Sequence, residues 1–145
     1  MLKPLKVIIA DDEYLICETL EEILLSLNIE VLAVCHDGLD AAKAIEELEP
    51  DVAFLDIRMP SLSGIEVAAR LTGNDAPLVV FITAYDDYAL KAYEVNALDY
   101  ILKPFVKEDV EKVIKKIEML STKTLKLSVL PDSQGKGARG EYPLQ

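Results

Sequence analysis

Val52-Ala53-Phe54-Leu55-Asp56-Ile57-Arg58-Met59-Pro60 is the stretch on which the fold turns. Four apolar residues read as a buried strand, and the strand must stop at Asp56, because Pro60 and a Ser61-Leu62-Ser63-Gly64 turn follow at once. A carboxylate is thereby delivered to a loop at the C-terminal end of a strand. In open parallel α/β sheets that edge is where ligands bind. Many strand-end aspartates only accept hydrogen bonds from the next turn, so Asp56 takes its meaning from the segments on either side.

Upstream, Leu5 to Ala10 is a β-branched run that ends at Asp11-Asp12-Glu13. From Tyr14 the period becomes helical, with Ile16, Leu20, Ile23, Leu24 and Leu27 at spacings of three and four. Asp12 is placed to cap that helix. Glu30 to Cys35 reads as a second strand. Asp37-Gly38 opens a helix with Ala41, Ala44, Ile45 and Leu48 inward, and Pro50 closes it.

Downstream, Ser63-Gly64-Ile65-Glu66 matches a capping box at the start of a short helix that fades by Gly73-Asn74. Leu78 to Ile82 is the most apolar strand and delivers Thr83 to a loop. Asp86-Asp87 open a fourth helix that runs through Val95. Asp99 to Leu102 is a brief fifth strand ending in Lys103-Pro104, and the last helix carries Val106, Val110, Val113, Ile114 and Ile117 on one face.

Five strands alternating with five helices predict an α/β fold, a parallel sheet covered on both faces. Right-handed crossovers favour a doubly wound, flavodoxin-like sheet of order 2-1-3-4-5. The pattern ends near Ser121. Residues 1–120 are therefore expected to form one domain, and residues 121–145, Gly/Pro-rich and polar, a linker or disordered tail in which Leu125 to Leu130 could make a lone strand.

The 145 residues are enough for one domain with its own core, and 51% are hydrophobic without any run long enough to span a membrane. The first residues lack the features of a secretory signal, which points to the cytoplasm. Cys17 and Cys35 read as small buried hydrophobes with no metal or redox spacing. His36, the only histidine, reads as a surface residue beside a turn. A net charge of −11 argues against direct contact with nucleic acid, whose phosphates need a basic face.

The tips of strands one, three, four and five carry Asp11 and Asp12, Asp56, Thr83 and Lys103. In a doubly wound sheet these tips converge on one crevice. Crowded carboxylates raise one another's pKa unless a positive charge intervenes. Mg²⁺ answers that need with one or two carboxylates, waters and a phosphate oxygen. A carboxylate nucleophile, Mg²⁺, an ammonium and a hydroxyl together suit phosphoryl transfer, which depends on positioning and charge neutralisation.

Ile9-Ala10-Asp11-Asp12-Glu13, Leu55 to Pro60, Phe81-Ile82-Thr83-Ala84 and Tyr100 to Phe105 resemble the motifs of bacterial two-component response-regulator receiver domains over roughly residues 5–120. The resemblance implies a signalling switch that is not an enzyme in the turnover sense. Asp56 would take a phosphoryl group from a sensor histidine kinase, and Thr83 and Lys103 would bind the phosphoryl oxygens. Asp12, Asp56 and the backbone carbonyl of Arg58 would ligate Mg²⁺, with Asp11 helping through water. Thr83 and Tyr100 would form the switch, and the Lys103-Pro104 bond would be cis.

Tyr85 to Tyr100 is similar to receivers of LytTR-type (LytR/AlgR-like) transcriptional regulators. That likeness implies control of transcription through a DNA-binding domain absent from this chain. It also implies a homodimer built on the fourth helix, fifth strand and last helix. Two other readings compete. A haloacid-dehalogenase-type Mg²⁺ phosphohydrolase usually has a second aspartate two residues after the nucleophile, where this chain has Arg58. A phosphorylation-independent binding module would not need the acidic pair, Asp56, Thr83 and Lys103 together.

Overall fold

Hydrophobic runs short enough to be strands punctuate helices of 3.6-residue period, and the resulting architecture is the expected one. The structure, a computed structural model, describes residues 4–84 and 97–129, with side chains as far as residue 120. Strands β1 (Lys6–Ala10), β2 (Glu30–Cys35), β3 (Val52–Asp56), β4 (Leu78–Thr83) and β5 (Asp99–Leu102) form one parallel sheet of order β2-β1-β3-β4-β5. Helices α1 (Tyr14–Ser26), α2 (Gly38–Leu48) and α3 (Gly64–Ala69) connect the strands, and α4 (Lys107–Val129) follows β5. The expected helix at 86–95 lies outside the described residues. Two compact units divide at Val110 and Glu111; the sheet, α1–α3 and every site residue named above belong to the first.

Every residue of β3 is buried, and so are the last four of β1 and the last five of β4. Central parallel strands covered on both faces have this property, which explains why they read as unbroken apolar runs. The register stacks Ile8 on Ala53 on Val79 and Ala10 on Leu55 on Phe81. Those residues pack with Ala41 and Ile45 of α2 and Val67 and Ala68 of α3 as one cluster. The opposite face carries Val7, Ile9, Phe54, Val80 and Ile82, all fully buried.

Several local expectations need correction. Asp56 is the last residue of β3 and Thr83 the last of β4, so both leave from the sheet itself and not from loops. Asp12 does not cap α1. The N-cap is Glu13, without a side-chain cap bond, and Asp11 Oδ1 instead accepts the Glu13 N–H at 2.9 Å. His36 is half-buried, with its ring against Tyr14. The lone strand that Leu125 to Leu130 could have made is instead helical as far as Val129. No Gly or Pro interrupts α4 before Pro131. Once a helix is nucleated each added residue gains a hydrogen bond, whereas a lone strand leaves its backbone groups unpaired.

Candidate phosphoryl-transfer site

Site geometry follows from strand order. β1 and β3 are neighbours at the centre of the sheet, but their connections leave in opposite directions, which opens a crevice beyond their C-terminal ends. Asp11 follows β1, Asp56 ends β3, Thr83 ends β4 one residue past the Asp56 to Ile82 pairing, and Lys103 follows β5. Lys103 N donates to Thr83 O at 2.8 Å, which ties the fourth tip to the third.

One carboxylate oxygen from each of Asp11, Asp12, Glu13 and Asp56 lies within 4.8 Å of the others. Lys103 Nζ reaches into this group, 2.8 Å from Asp11 Oδ2, 2.8 Å from Glu13 Oε2 and 3.4 Å from Asp56 Oδ2. Asp11 is 0% exposed and Asp56 6% exposed, whereas Asp12 and Glu13 are open to solvent. One ammonium therefore faces three acidic groups, with Asp12 the fourth carboxylate of the cluster. Burial pushes the Asp56 carboxyl up to about 7, and the charge of Asp11 pushes the same way against the pull of Lys103. Burial alone would lower Lys103, but its bonds to Asp11 and Glu13 and the charge of Asp56 outweigh it and hold the ammonium above the usual lysine value.

This arrangement fits a hard divalent cation. The donors are all oxygen. Asp11 Oδ2 is buried and accepts no properly directed hydrogen bond, although it meets Lys103 as an ion pair. Such an atom is costly unless a charge or a hydrogen bond satisfies it. A cavity of about 580 Å³ beside Asp12 is lined by Arg58, Met59, Pro60, Ser63 and Ile65, and gives access from solvent along the loop after Asp56.

That loop is fastened at several points. Gly64 N donates to Ile57 O at 2.8 Å, and a Cβ on Gly64 would stand 2.2 Å from Asp56 O. Only glycine lets the start of α3 approach the Asp56 backbone so closely. Ser63 and Glu66 form the expected capping box. On the other side, Ser61 Oγ donates to Asp37 Oδ1 and accepts the Leu39 N–H, while Gly38 N donates to Pro60 O. The hydrogen bond from the Asp40 backbone, foremost, holds Asp37 below the usual carboxylate range.

Asp11, Asp12, Asp56 and Lys103 are brought together as the strand tips implied. Thr83 is buried at the same edge. Arg58 is exposed on the adjoining loop. Tyr100 is half-buried on β5, opposite Phe81 and packed against the core cluster. Lys103-Pro104 is cis. The Tyr85 to Asn96 part of the LytTR-like stretch lies outside the described residues. Three participants were missed from the sequence. Glu13 lies in the acidic run and was readable as a further carboxylate. Contacts of Ser61 with Asp37 and of His36 with Asp11 span 24 and 25 positions, and no local pattern announces them.

A family model described as the response regulator receiver domain matches residues 7–115. The transcriptional regulatory protein BtsR of Salmonella typhi is 40% identical over 131 residues, covering 90% of this chain and 54% of that protein. An uncharacterized response regulatory protein of Vibrio cholerae is 43% identical over 131 residues, again 90% of this chain and 54% of that protein. The chain thus spans about half the length of these relatives. Among solved structures, the response regulatory domain of mrkE from Klebsiella pneumoniae superposes with a TM-score of 0.74 at 35% identity, covering 79% of this chain and 96% of that one. The receiver domain of AraT from Geobacillus stearothermophilus gives 0.75 at 32% identity, covering 84% and 99%.

Proposed function

Because the chain belongs to the response regulator receiver domain family, we propose that Asp56 is the phosphoacceptor and that a sensor histidine kinase's phosphohistidine is the donor. The observation that carries this reading is the buried Asp56, with Asp11, Asp12 and Glu13 within 4.8 Å and Lys103 among them at the strand tips. Ionised Asp56 attacks phosphorus with an oxygen lone pair. A P–O bond forms, the donor's P–N bond breaks, and the released pair takes a proton on the imidazole nitrogen.

Asp11, Asp12, Asp56 and the carbonyl of Arg58 would hold Mg²⁺, which when bound neutralises carboxylates and phosphoryl oxygens. Lys103 and Thr83 supply an ammonium and a hydroxyl to those oxygens. A phosphoryl group brings roughly two negative charges at neutral pH. Thr83 and Lys103 move toward it, and Tyr100 turns into the space that Thr83 leaves, which changes the surface of β5 and its neighbouring helices.

The receiver occupies residues 1–120 in this reading and residues 121–145 a linker or tail, and transcription in the cytoplasm is controlled through a LytTR-type DNA-binding domain absent from this chain. The transcriptional regulatory role of BtsR supports that output by likeness. Phosphorylation promotes a symmetric dimer through β5, the segment 86–95 that the sequence reads as a helix, and α4, where Lys112, Lys115 and Lys116 are exposed. Sedimentation of the fully phosphorylated chain as a monomer at micromolar concentration would contradict the dimer.

Intact mass after incubation with a small phosphodonor tests the central claim. Wild type with Mg²⁺ gains one phosphoryl group, and Asp56→Asn or metal-free samples gain none. Folded wild type that gains nothing under these conditions favours a binding module independent of phosphorylation.

A further inference from the structure

Asp11 is gripped by its backbone from two elements. Its N–H donates to Cys35 O at 3.0 Å. Its carbonyl accepts from Cys17 Sγ at 3.2 Å and lies 3.0 Å from His36 Nδ1. A carbonyl has no proton to give, so this contact is a hydrogen bond when Nδ1 carries the proton; Cys17 Sγ also lies 3.8 Å from Nδ1. The imidazole is braced in turn, because Tyr14 stacks on it with ring centroids 3.7 Å apart and planes 16° from parallel. Residues just after β2 and at the start of α1 therefore close over one peptide group, the one between the two aspartates of the acidic cluster.

The carboxylate carried by that peptide is entirely buried, and its Oδ2 has no hydrogen bond. Oδ2 meets the Lys103 ammonium at 2.8 Å and Oδ1 accepts the Glu13 N–H at 2.9 Å, so the carboxylate is placed jointly by those two partners and by the backbone that carries it. Partners of this kind, which orient a ligand without touching the metal, commonly change metal affinity by roughly 10- to 100-fold.

We propose that His36 is a positioning residue for the cation site: its Nδ1–H bond to the Asp11 carbonyl, braced by the Tyr14 ring, holds the acidic turn in the geometry that takes Mg²⁺. The inference rests on the proposed cation site and assigns His36 no contact with the ion. Tyr14 is 69% exposed, so the brace lies at the protein surface.

The test is Mg²⁺ titration of the full chain followed through amide resonances, for wild type, His36→Phe and His36→Asn. Phenylalanine keeps a ring for Tyr14 and removes the donor. Asparagine keeps a donor close to the Nδ1 position and removes the ring. His36→Phe is expected to bind Mg²⁺ about tenfold more weakly, and His36→Asn to bind like wild type. A role in packing alone predicts the reverse order and overturns the proposal, as does equal affinity in all three proteins. Wild type that does not bind Mg²⁺ removes the cation site itself, a failure distinct from that of His36. If circular dichroism finds either variant unfolded, the wild-type ring decides. His36 is the only histidine of the chain, so its ring nitrogens are read by long-range ¹⁵N correlation without ambiguity. A proton on Nδ1 is the expected result, and a bare Nδ1 with the proton on Nε2 overturns the proposal.

Discussion

The proposed nucleophile, Asp56, stands in a place that resists its charge. Its carboxyl is pushed up to about 7 by burial and by Asp11, against an ordinary value of 3.8. The unfolded chain ionises near 3.8, so the folded, cation-free protein holds the extra proton between those values. Stability from the neutral carboxyl is full below 3.8 and is lost as pH rises through about 7. In urea unfolding with a chelator, wild type should therefore lose stability relative to Asp56→Asn as pH rises from about 4 to about 7, with no further loss above that. Parallel curves for the two proteins would show that Asp56 ionises freely. The thiols behave in the opposite functional sense. Burial pushes Cys17 up to about 12, helped by the charge of Asp11, and Cys35 up to about 11, helped by Asp40. Two units above the ordinary thiol leave about one-hundredth of the thiolate. Alkylation of the folded protein at pH 8 should run about 100-fold or more below the rate in denaturant. Equal rates would place the thiols in solvent.

At the scale of elements, the loop after β3 is held by its neighbours more than by its own conformation. α3 is only six residues long and depends on the Ser63 and Glu66 capping box. Ser63→Ala should cost about 1 kcal/mol in chemical denaturation. Gly64→Ala should cost more, about 1–3 kcal/mol for an overpacked site, because its Cβ would meet the Asp56 carbonyl, a backbone atom that cannot rotate away. It should also slow phosphoryl uptake, since the displaced backbone belongs to the acceptor. If Gly64→Ala is as stable as wild type and takes up the phosphoryl group as fast, the close approach has no consequence. Strand β3 itself tolerates little. Phe54 is fully buried at the centre of the sheet, and Phe54→Ala should cost about 3–5 kcal/mol, readable as a shift of the unfolding midpoint without a change in slope.

Across the whole molecule, excess negative charge at one sheet edge links folding to a bound cation. Mg²⁺ that binds the folded state alone stabilises it by mass action, by about 2.7 kcal/mol at one hundred times its dissociation constant. The melting temperature should rise with Mg²⁺ and return on chelation in wild type, with little response in a variant lacking both Asp11 and Asp12. A melting temperature indifferent to Mg²⁺ would remove the cation from the reading. Much of this design is legible along the chain, for two physical reasons. Strands buried on both faces must be apolar throughout, so β1, β3 and β4 stand out as runs, and α1 and α2 show their buried faces at a spacing of three and four. Parallel strands with right-handed crossovers then bring their tips to one edge, so Asp11, Asp12, Asp56, Thr83 and Lys103 could be grouped before any distance was known. The sequence by itself thus determined a doubly wound parallel sheet and the chemistry of its edge, and the resemblance to receiver domains narrowed the strand order to 2-1-3-4-5. Only the tertiary structure decided that Lys103 divides its charge among Asp11, Glu13 and Asp56, that Ser61 fastens the β3 loop to α2, and that His36 and Tyr14 brace Asp11. Those contacts join residues 22 to 92 positions apart through side-chain reach and hydrogen-bond direction, quantities that periodicity and propensity do not encode.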